Sequence, residues 1–500
     1  MNFYDIGDLL TGICSVCRVY FNWNKIGANE EGFRLFVSKI SIENFRLFKP
    51  DVPFEIDDFN VPDGESEGSG INVFVGENGC GKTTLLDALS LPILEYKSDS
   101  FTLEDMNDPQ KPVSISIFAD KDFTVKGTMP RGDFKSKGFQ FKAGLRSRST
   151  RAYLSSIVVT DQLFIKSNSE SPKDGSPDLR VSVNNPFSGK RFNENDIVFL
   201  DKNRYYQIKS GSFNQTRFDR LMEDLDYQYI KGSPEIADID ETVSEEIRKV
   251  KVSNEFLSKT IREFHDLTGI SVKLELIDNY HPFKYSAFAQ MKNNKQEIKL
   301  DAMGSGYEMI FSLIYSYHLA RQSGKQLILL IDEPELHLHP ALQEKLLSFI
   351  LKISTNSQVF MSTHSSLLIK QLSINDKAKI MILNGEKSPQ YMKERKLPYY
   401  SSNETNYLAF GLATEEYHNE LYEHIKNLYG ENQGIKVFDN VFFVQKEGEP
   451  QHFPWKGNPN EISIHTFIRN QIHHSSDNGK PDIEQLKQSI EKMRSFIPKA

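Results

Sequence analysis

Short apolar runs that end in polar or glycine-rich sequence are the first pattern in this chain of 500 residues. Residues 71–75 (INVFV), 197–200 (IVFL), 326–331 (QLILLI) and 359–363 (VFMST) read as strands of a sheet that is buried on both faces. From 301 to 385, helical and strand-like segments alternate along the chain. This alternation is typical of a parallel sheet covered by helices, so the sequence predicts an α/β fold.

Other periods indicate further parts of the molecule. Residues 35–42 and 113–118 alternate apolar and polar positions, which indicates half-buried strands and a β-rich N-terminal lobe. Residues 213–269 have helical spacing, but no sustained heptad repeat, which excludes a long coiled coil. We therefore predict an N-terminal appendage (1–30), an N-terminal lobe (31–210), a helical insertion (211–270), a C-terminal lobe (271–390) and a C-terminal helical region (391–500).

The segment 76–84 (GENGCGKTT) fits the phosphate-loop pattern G-x-x-x-x-G-K-[ST], between a predicted strand and a predicted helix. Such a loop directs backbone N–H groups and the positive end of a helix at one point, which suits a polyphosphate. We expect Lys82 to reach the β- and γ-phosphates and the Thr83 hydroxyl to bind Mg²⁺. The sequence thus predicts a nucleoside triphosphate site whose loop residues are Gly76, Asn78, Gly79, Gly81, Lys82, Thr83 and Thr84.

Two further strand ends carry candidate catalytic groups. The apolar strand 326–331 ends at Asp332 and Glu333, and the strand 359–363 is followed by His364. Unpaired buried carboxylates are costly, so an acidic pair at this position points to function. We expect Asp332 to hold Mg²⁺, Glu333 to polarise the attacking water and His364 to contact the γ-phosphate.

A second anion-binding helix start is predicted at Ser305 and Gly306, shortly before the Asp332 strand. Serine and glycine at a helix start leave backbone N–H groups available to an anion. This helix is a different one from the helix that follows Lys82. Two such helix starts in one subunit indicate that one of them serves the nucleotide of a neighbouring copy.

Composition and charge exclude several classes. The chain is 38% hydrophobic and 26% charged, with a net charge of −8, which is typical of a globular protein and not of a uniformly basic nucleic-acid binder. Three cysteines cannot form a disulfide framework, and Cys14 and Cys17 have no further zinc ligands nearby, so we expect them to pack in a core. There is no apolar run of membrane-spanning length and no basic segment of a secretory signal near the start, so we expect a cytoplasmic protein without membrane contact.

One local segment is basic. Residues 121–151 hold nine lysines and arginines against Asp122 and Asp133, interleaved with phenylalanines. Such a segment suits a DNA or RNA backbone. A solvated hairpin surface would have the same composition, and the sequence leaves both interpretations open.

The order of these motifs resembles the ABC-type ATPases of the SMC/RecF/OLD group. The matching segments are 44–46 (NFR), the phosphate loop, 304–308 (GSGYE), 332–340 (DEPELHLHP) and 363–365 (THS), within roughly 33–90 and 300–385. The resemblance implies an ABC-type head that forms a homodimer or a higher homo-oligomer, with two ATP molecules held between Lys82 of one head and Ser305 of the other. It also implies that Arg46 lies close to the nucleotide phosphates.

Two differences from the SMC/RecF/OLD group indicate which of its members the chain resembles most. Only about 220 residues separate Lys82 from Ser305, so the long arms of SMC proteins are missing, and the TOPRIM nuclease pattern of OLD proteins is not found after 385. The chain looks more like the stand-alone ATPases of bacterial antiphage systems, of the PtuA or AriA kind. Those ATPases depend on a separate nuclease subunit.

The C-terminal region has one sharp motif. Residues 469–474 (RNQIHH) resemble the R-N-x-x-x-H motif of HEPN-type ribonucleases, which would give roles to Arg469 and His474. We favour an inactive helical bundle that serves docking or dimerisation over an active nuclease.

Three functions follow. The favoured one is the ATPase of an antiphage complex that controls a partner nuclease. The alternatives are a self-contained ribonuclease toxin gated by ATP and a DNA-repair ATPase of RecF type.

Overall fold

The structure is a computed structural model, and the residues it describes lie within 36–498. Leu35–Ala500 form one compact unit. The predicted appendage 1–30, with Cys14 and Cys17, lies outside the described residues, and so does most of the predicted insertion 211–270. The described ranges are 36–90, 103–129, 131–145, 152–160, 164–167, 180–182, 197–200, 255–278, 284–290, 297–299, 305–322, 327–336, 338–392, 395–430, 432–474 and 479–498.

Strands dominate the first half of the described chain and helices the second. The strands are β1 (Val37–Glu43), β2 (Phe54–Ile56), β3 (Ile71–Val75), β4 (Val113–Met129), β5 (Arg131–Leu145), β6 (Ala152–Thr160), β7 (Phe164–Ser167), β8 (Arg180–Ser182), β9 (Ile197–Leu200), β10 (Ser271–Asp278), β11 (Lys284–Gln290), β12 (Glu297–Lys299), β13 (Leu327–Asp332), β14 (Ser357–Ser362), β15 (Lys379–Ile382), β16 (Gln390–Tyr391), β17 (Phe453–Trp455) and β18 (Asn458–Ile462). The α-helices are α1 (Lys82–Ser90), α2 (Glu255–Thr268), α3 (Ser305–Gln322), α4 (Pro340–Ile353), α5 (Ser366–Ile374), α6 (Ser402–Phe410), α7 (Glu415–Tyr429), α8 (Ile435–Phe438), α9 (Ile464–His473) and α10 (Ile483–Phe496).

A six-stranded sheet of order β16-β15-β3-β14-β13-β9 forms the centre of the head. The strands β15, β3, β14, β13 and β9 run parallel, and β16 joins the edge antiparallel. Four of these parallel strands are the four apolar runs of the sequence, so those predictions and the α/β class are confirmed. Because parallel strands end at one edge, the loops after β3, β13 and β14 converge there.

Both faces of this sheet are covered, which explains why its strands are apolar without alternation. Val73, Leu329 and Met361 pack with α2, α3, α4 and α5 on one face. Phe74 and Leu330 point to the opposite face and pack with α1 and with β1, β2 and β4. Successive side chains of one strand therefore enter two separate cores.

The second core joins the parallel sheet to an antiparallel sheet of order β2-β1-β4-β5-β6-β7, in which β8 also pairs with β4. The buried amide of Gln358 on β14 contributes to this junction. Its Nε2 donates to the carbonyl oxygens of Val37 (2.7 Å) and Asn60 (2.9 Å), and its Oε1 accepts from the N–H of Val37 (2.8 Å). A buried amide with all these groups paired fixes the position of β1 on the parallel sheet.

The C-terminal region packs around a core of its own. Tyr417, Tyr422, Phe438, Phe443 and residues of α9 and α10 fill it. A π-helical segment, Asp439–Lys446, and the β17–β18 hairpin interrupt the helices, and the sequence pattern did not predict either. Within the described part of the chain, every helix is too short or too polar to cross a membrane.

Candidate active site

The phosphate loop lies between β3, which is buried throughout, and α1, which begins at Lys82. Gly76 has a φ of 141° and Gly81 a φ of 104°, a region that other residues rarely adopt. A Cβ on Gly76 would lie 2.3 Å from the carbonyl oxygen of Leu383, so only glycine fits there. Asn78 and Gly79 are exposed at the tip of the loop, whereas Thr84 is buried in the first turn of α1.

The ammonium group of Lys82 lies inside the curve of this loop. Its Nζ donates to the carbonyl oxygens of Gly76 (2.9 Å) and Glu77 (2.8 Å), and the side chain is almost fully buried. A positive charge beside a helix N-terminus is a favourable position for phosphate groups. The sequence and the geometry therefore assign this loop to the same ligand class.

Thr83 and Asp332 meet although 249 positions separate them in the chain. The Thr83 Oγ1 lies 3.1 Å from the Asp332 Oδ2, and Ser362 donates a short hydrogen bond to the other carboxylate oxygen. A hydroxyl and a carboxylate are the hard oxygen ligands that Mg²⁺ prefers, so the pair fits the predicted ion. Thr83 and Asp332 would hold Mg²⁺, which would neutralise charge on the phosphates when bound.

Glu333 and His364 face each other at the ends of the neighbouring strands β13 and β14. The His364 Nε2 lies 3.8 Å from the Glu333 Oε1, and both side chains are partly exposed. Glu333 has a φ of 48°, and its N–H donates to the Ser362 side chain (3.0 Å) and the Ser362 carbonyl (3.2 Å). A left-handed backbone that the surroundings hold in place is a common feature of functional sites.

Glu335 also belongs to this site, although the sequence pattern did not predict a role for it. Its Oε1 accepts from the backbone N–H groups of His364 (2.6 Å) and Ser365 (3.1 Å). Burial raises the pKa of the Glu335 carboxyl. The signal in the sequence was its place in the DEPELHLHP run, but its contacts become visible only once β13 and β14 lie side by side.

Gln343 on α4 braces the same turn. It donates to the carbonyl oxygens of Glu335 (3.4 Å) and Leu338 (3.0 Å) and accepts from the hydroxyl of Ser365 (3.1 Å). Ser365 also caps α5 by accepting from the N–H of Leu368. Gln343 thus joins α4 to the turn after β13 and to Ser365, the residue that follows His364.

Arg46 lies beside α1 and not on the phosphate loop itself. It has a φ of 51°, its Nε donates to Asp105 (2.9 Å), and it forms a short ion pair with Asp87 on α1. These two carboxylates orient the guanidinium and fix the turn at 103–105 against α1. Its predicted contact with nucleotide phosphates stays a prediction.

The other predicted site residues lie elsewhere. The helix α3 begins at Ser305 as expected and Gly306 is buried, but the Ser305 side chain lies outside the described residues. Arg469 lies on α9, with its Nη2 3.8 Å from the Glu423 Oε1 on α7, and His474 is exposed at the end of that helix. The neighbour's nucleotide at Ser305 and the nuclease motif at Arg469 and His474 therefore remain predictions.

A family match agrees with this site. Residues 71–370 match the family described as "AAA domain, putative AbiEii toxin, Type IV TA system". Because this range is more than half of the chain, the chain belongs to that family. It is an ATPase, and the predicted class of enzyme is confirmed.

The similarity to individual proteins is more distant. The chain is 21% identical to Protein ea59 of Escherichia phage lambda over 323 residues, which are 64% of this chain and 49% of that protein. The chain thus matches about half the length of this relative.

Among solved structures, the chain is similar to an SMC head bound to the C-winged helix domain of ScpA, with a TM-score of 0.43 and 15% identity over 71% of this chain and 96% of that one. It is also similar to the recombination mediator protein RecF, with a TM-score of 0.39 and 13% identity over 72% of this chain and 99% of that one. The assignment of the fold rests on the strand order and the phosphate loop, since similarity at this level adds no further argument.

Proposed function

We propose that this ATPase is an ATP-controlled clamp of a bacterial antiphage complex, in which a head-to-tail dimer binds two ATP molecules and controls a separate nuclease. The observation that supports it most is the convergence of Lys82, Thr83, Asp332, Glu333 and His364 at one edge of the parallel sheet.

For hydrolysis, Lys82 and the loop N–H groups bind the phosphates. Glu333 accepts a proton from the attacking water, whose oxygen forms a bond to the γ-phosphorus while the bond to the bridging oxygen of ADP breaks. The His364 Nε2 lies 3.8 Å from Glu333, and we expect its imidazole to contact the γ-phosphate and to hold the transferred group in line.

The dimer is supported by the start of α3. It offers a second set of helix N–H groups at Ser305 and Gly306, distinct from those of α1. In the head-to-tail arrangement this helix start binds the nucleotide of the other copy, so each ATP joins two chains.

The partner nuclease is supported by the family description, which names toxin–antitoxin systems, and by the C-terminal surface. Leu428, Val437 and Val441 are exposed apolar side chains of α7, α8 and the π-helical segment. A partner that binds this region would cover these side chains. The partly buried ion pair of Arg469 with Glu423 supports a structural role for the R-N-x-x-x-H motif.

Two variants of the nucleotide site test the clamp. Glu333→Gln removes the proton acceptor but keeps the shape of the side chain, so we expect kcat to fall about 100-fold or more while ATP binding persists. With ATP and Mg²⁺, light scattering should then show a dimer. Lys82→Ala should lose ATP binding in calorimetry and stay monomeric. Glu344→Gln, on the exposed side of α4, is the matched control.

Two outcomes would contradict parts of this proposal. A Glu333→Gln chain that stays monomeric while saturated with ATP would exclude the dimer. For the partner, the chain is co-expressed with its neighbouring genes and purified. If no nuclease co-purifies, and nuclease activity in the preparation does not change with ATP, control of a partner nuclease is excluded.

A further inference from the structure

An aromatic ring of the C-terminal region lies beside the ring of the candidate catalytic histidine, nearly parallel to it. The ring centroids of His364 and Phe410 are 6.3 Å apart, and the ring planes differ by 16°. Phe410 is the last residue of α6, which ends at Gly411 in a left-handed conformation with a φ of 69°. A planar contact between residues 46 positions apart joins the end of β14 to a helix that carries no motif of the nucleotide site.

Contacts with Glu333 and Phe410 lie at the His364 ring. The backbone of His364 is held by Glu335, but a backbone hydrogen bond does not fix the side-chain torsions. The Nε2 lies 3.8 Å from Glu333, and the Phe410 ring lies beside the imidazole and nearly parallel to it, with the ring centroids 6.3 Å apart. A flat neighbour restricts the rotation of an imidazole, and reaction rates depend on such orientation.

Phe410 itself is anchored at the head. It packs against the core of the parallel sheet together with the buried Ala409. The other end of α6 faces α5, where the Lys370 Nζ lies 3.4 Å from the Ser402 hydroxyl. The position of α6, and thus of its last ring, is therefore defined relative to the strand that leads to His364.

The same helix is tied to the C-terminal bundle by buried polar contacts. Glu404 accepts hydrogen bonds from the hydroxyl of Tyr417 on α7 (3.0 Å) and from Arg494 on α10 (3.0 Å). Tyr407 lies with its ring 5.2 Å from that of Tyr417. A shift of α7 or α10 would move α6, because a buried ion pair with its hydrogen bonds resists being broken.

We propose that Phe410 is a positioning residue for ATP hydrolysis: it orients the His364 imidazole and so makes the rate depend on the C-terminal helices. The proposal rests on the role of His364 in the proposed function. It adds a contribution of the C-terminal region to the reaction. A partner that binds this region and shifts α6 would therefore change the orientation of His364 and the rate of ATP hydrolysis.

The simplest competing explanation is that Phe410 only fills space in the core. The two explanations differ in which replacements they tolerate. A space-filling side chain can be exchanged for leucine or methionine with little loss. A side chain that orients a ring needs a flat surface, so only another aromatic residue can substitute for it.

The test compares kcat and KM for four variants of the full chain. Phe410→Leu and Phe410→Met should lower kcat about tenfold with KM for ATP unchanged, and Phe410→Tyr should keep kcat within about twofold of wild type. Phe453→Leu is the matched control, because Phe453 also stacks on one ring, that of Phe467 (4.7 Å), but lies in the β17–β18 hairpin. Its kcat should not change.

A double-mutant cycle with His364→Ala shows whether Phe410 acts through the histidine. If it does, adding Phe410→Leu to His364→Ala should leave kcat within about twofold of the single His364→Ala value. Equal losses in both backgrounds would overturn the proposal, and so would wild-type kcat in Phe410→Leu or Phe410→Met. Melting curves show whether each variant folds. If Phe410→Leu does not fold, the kcat of Phe410→Met decides between the two explanations.

The two proposals fail in different ways. If the wild-type chain shows ATP hydrolysis that is insensitive to Glu333→Gln and His364→Ala, the proposed site is wrong. If these two variants slow hydrolysis and the Phe410 variants do not, only the positioning role is wrong.

Discussion

The nucleotide site and the C-terminal region both bury polar groups, but these groups have different roles in the two regions. At the strand ends, Asp332, Glu333 and Glu335 come from one short run of sequence and meet Thr83 and His364 at the sheet edge. In the C-terminal region, Glu404 and Tyr417 come from the consecutive helices α6 and α7, and Arg494 comes from α10, 90 positions after Glu404. The first arrangement directs groups at a ligand, whereas the second closes on itself and holds helices together.

The two clusters show that the role of a buried polar group depends on its neighbours. Groups that face an open site can bind a ligand, whereas groups that pair only with each other stabilise the fold. In the nucleotide site, Glu333 and His364 keep part of their side chains exposed at the strand ends. The C-terminal cluster directs its charged groups at each other, and Glu404 is almost fully buried. Substitutions in the two clusters should therefore separate catalysis from stability.

The largest expected effect is on stability, for Arg494→Met. It leaves the Glu404 carboxylate buried beside Tyr417 without its cation, which should cost about 3–5 kcal/mol of unfolding free energy. Denaturant titration of the full chain measures the loss. Lys492→Met on the same helix removes an ion pair with Glu449 (3.2 Å) whose lysine is exposed, and it should cost less than about 1 kcal/mol. If both variants lose a similar amount of unfolding free energy, the Glu404 cluster contributes no more to stability than the ion pair of Lys492 with Glu449.

The next effect is on catalysis, for Glu335→Ala. The N–H groups of His364 and Ser365 would lose their shared acceptor, so we expect kcat to fall about 10- to 100-fold with little change in KM. Glu335→Gln retains an amide oxygen that accepts from both groups and should stay within about threefold of wild type. If glutamine is as harmful as alanine, the charge of Glu335 is what matters, and its role as a backbone acceptor is wrong.

The smallest effect concerns pH. His418 is fully buried with its Nε2 2.9 Å from the Ser489 hydroxyl, and burial, together with His465, lowers the pKa of His418 well below its ordinary 6.5. The unfolded chain therefore takes up a proton near pH 6.5 that the folded chain does not. Stability from this group is present above pH 6.5 and is lost as the pH falls below it.

The loss from this one group should be at most about 1.4 kcal/mol per pH unit. Stability curves between pH 7.5 and 5 test this against His418→Gln, whose amide can replace the Nε2 contact and does not titrate. Below pH 6.5 the wild type should lose stability faster than the variant. Parallel curves would show that His418 does not contribute to acid sensitivity.

Much of the nucleotide site could be predicted because its residues are specified locally. The phosphate loop, the Asp332–Glu333 pair and His364 each directly follow an apolar strand, and parallel strands must end at the same edge. The pairing of Arg46 with Asp87 and Asp105 was not predictable, since its partners lie 41 and 59 positions away on separate elements. The role of Glu335 was missed for the same reason.

The C-terminal region was harder to predict. Helical spacing identified its helices, but the π-helical segment Asp439–Lys446 and the β17–β18 hairpin have no distinct period. Aromatic residues of this region, such as Phe438 and Phe443, pack in several geometries within one core. The hydrophobic pattern predicts that such residues are buried, but it does not predict which residues they pack against.

The sequence by itself determined the parallel strands, the phosphate loop and the residue types at the strand ends, because these depend on local backbone conformation and on the burial of short apolar runs. Only the tertiary structure decided that Thr83 meets Asp332, that Glu335 holds the backbone of His364, and that Phe410 lies beside the His364 ring. These contacts join elements far apart in the chain, and their geometry depends on how whole helices and strands pack, which no local pattern specifies.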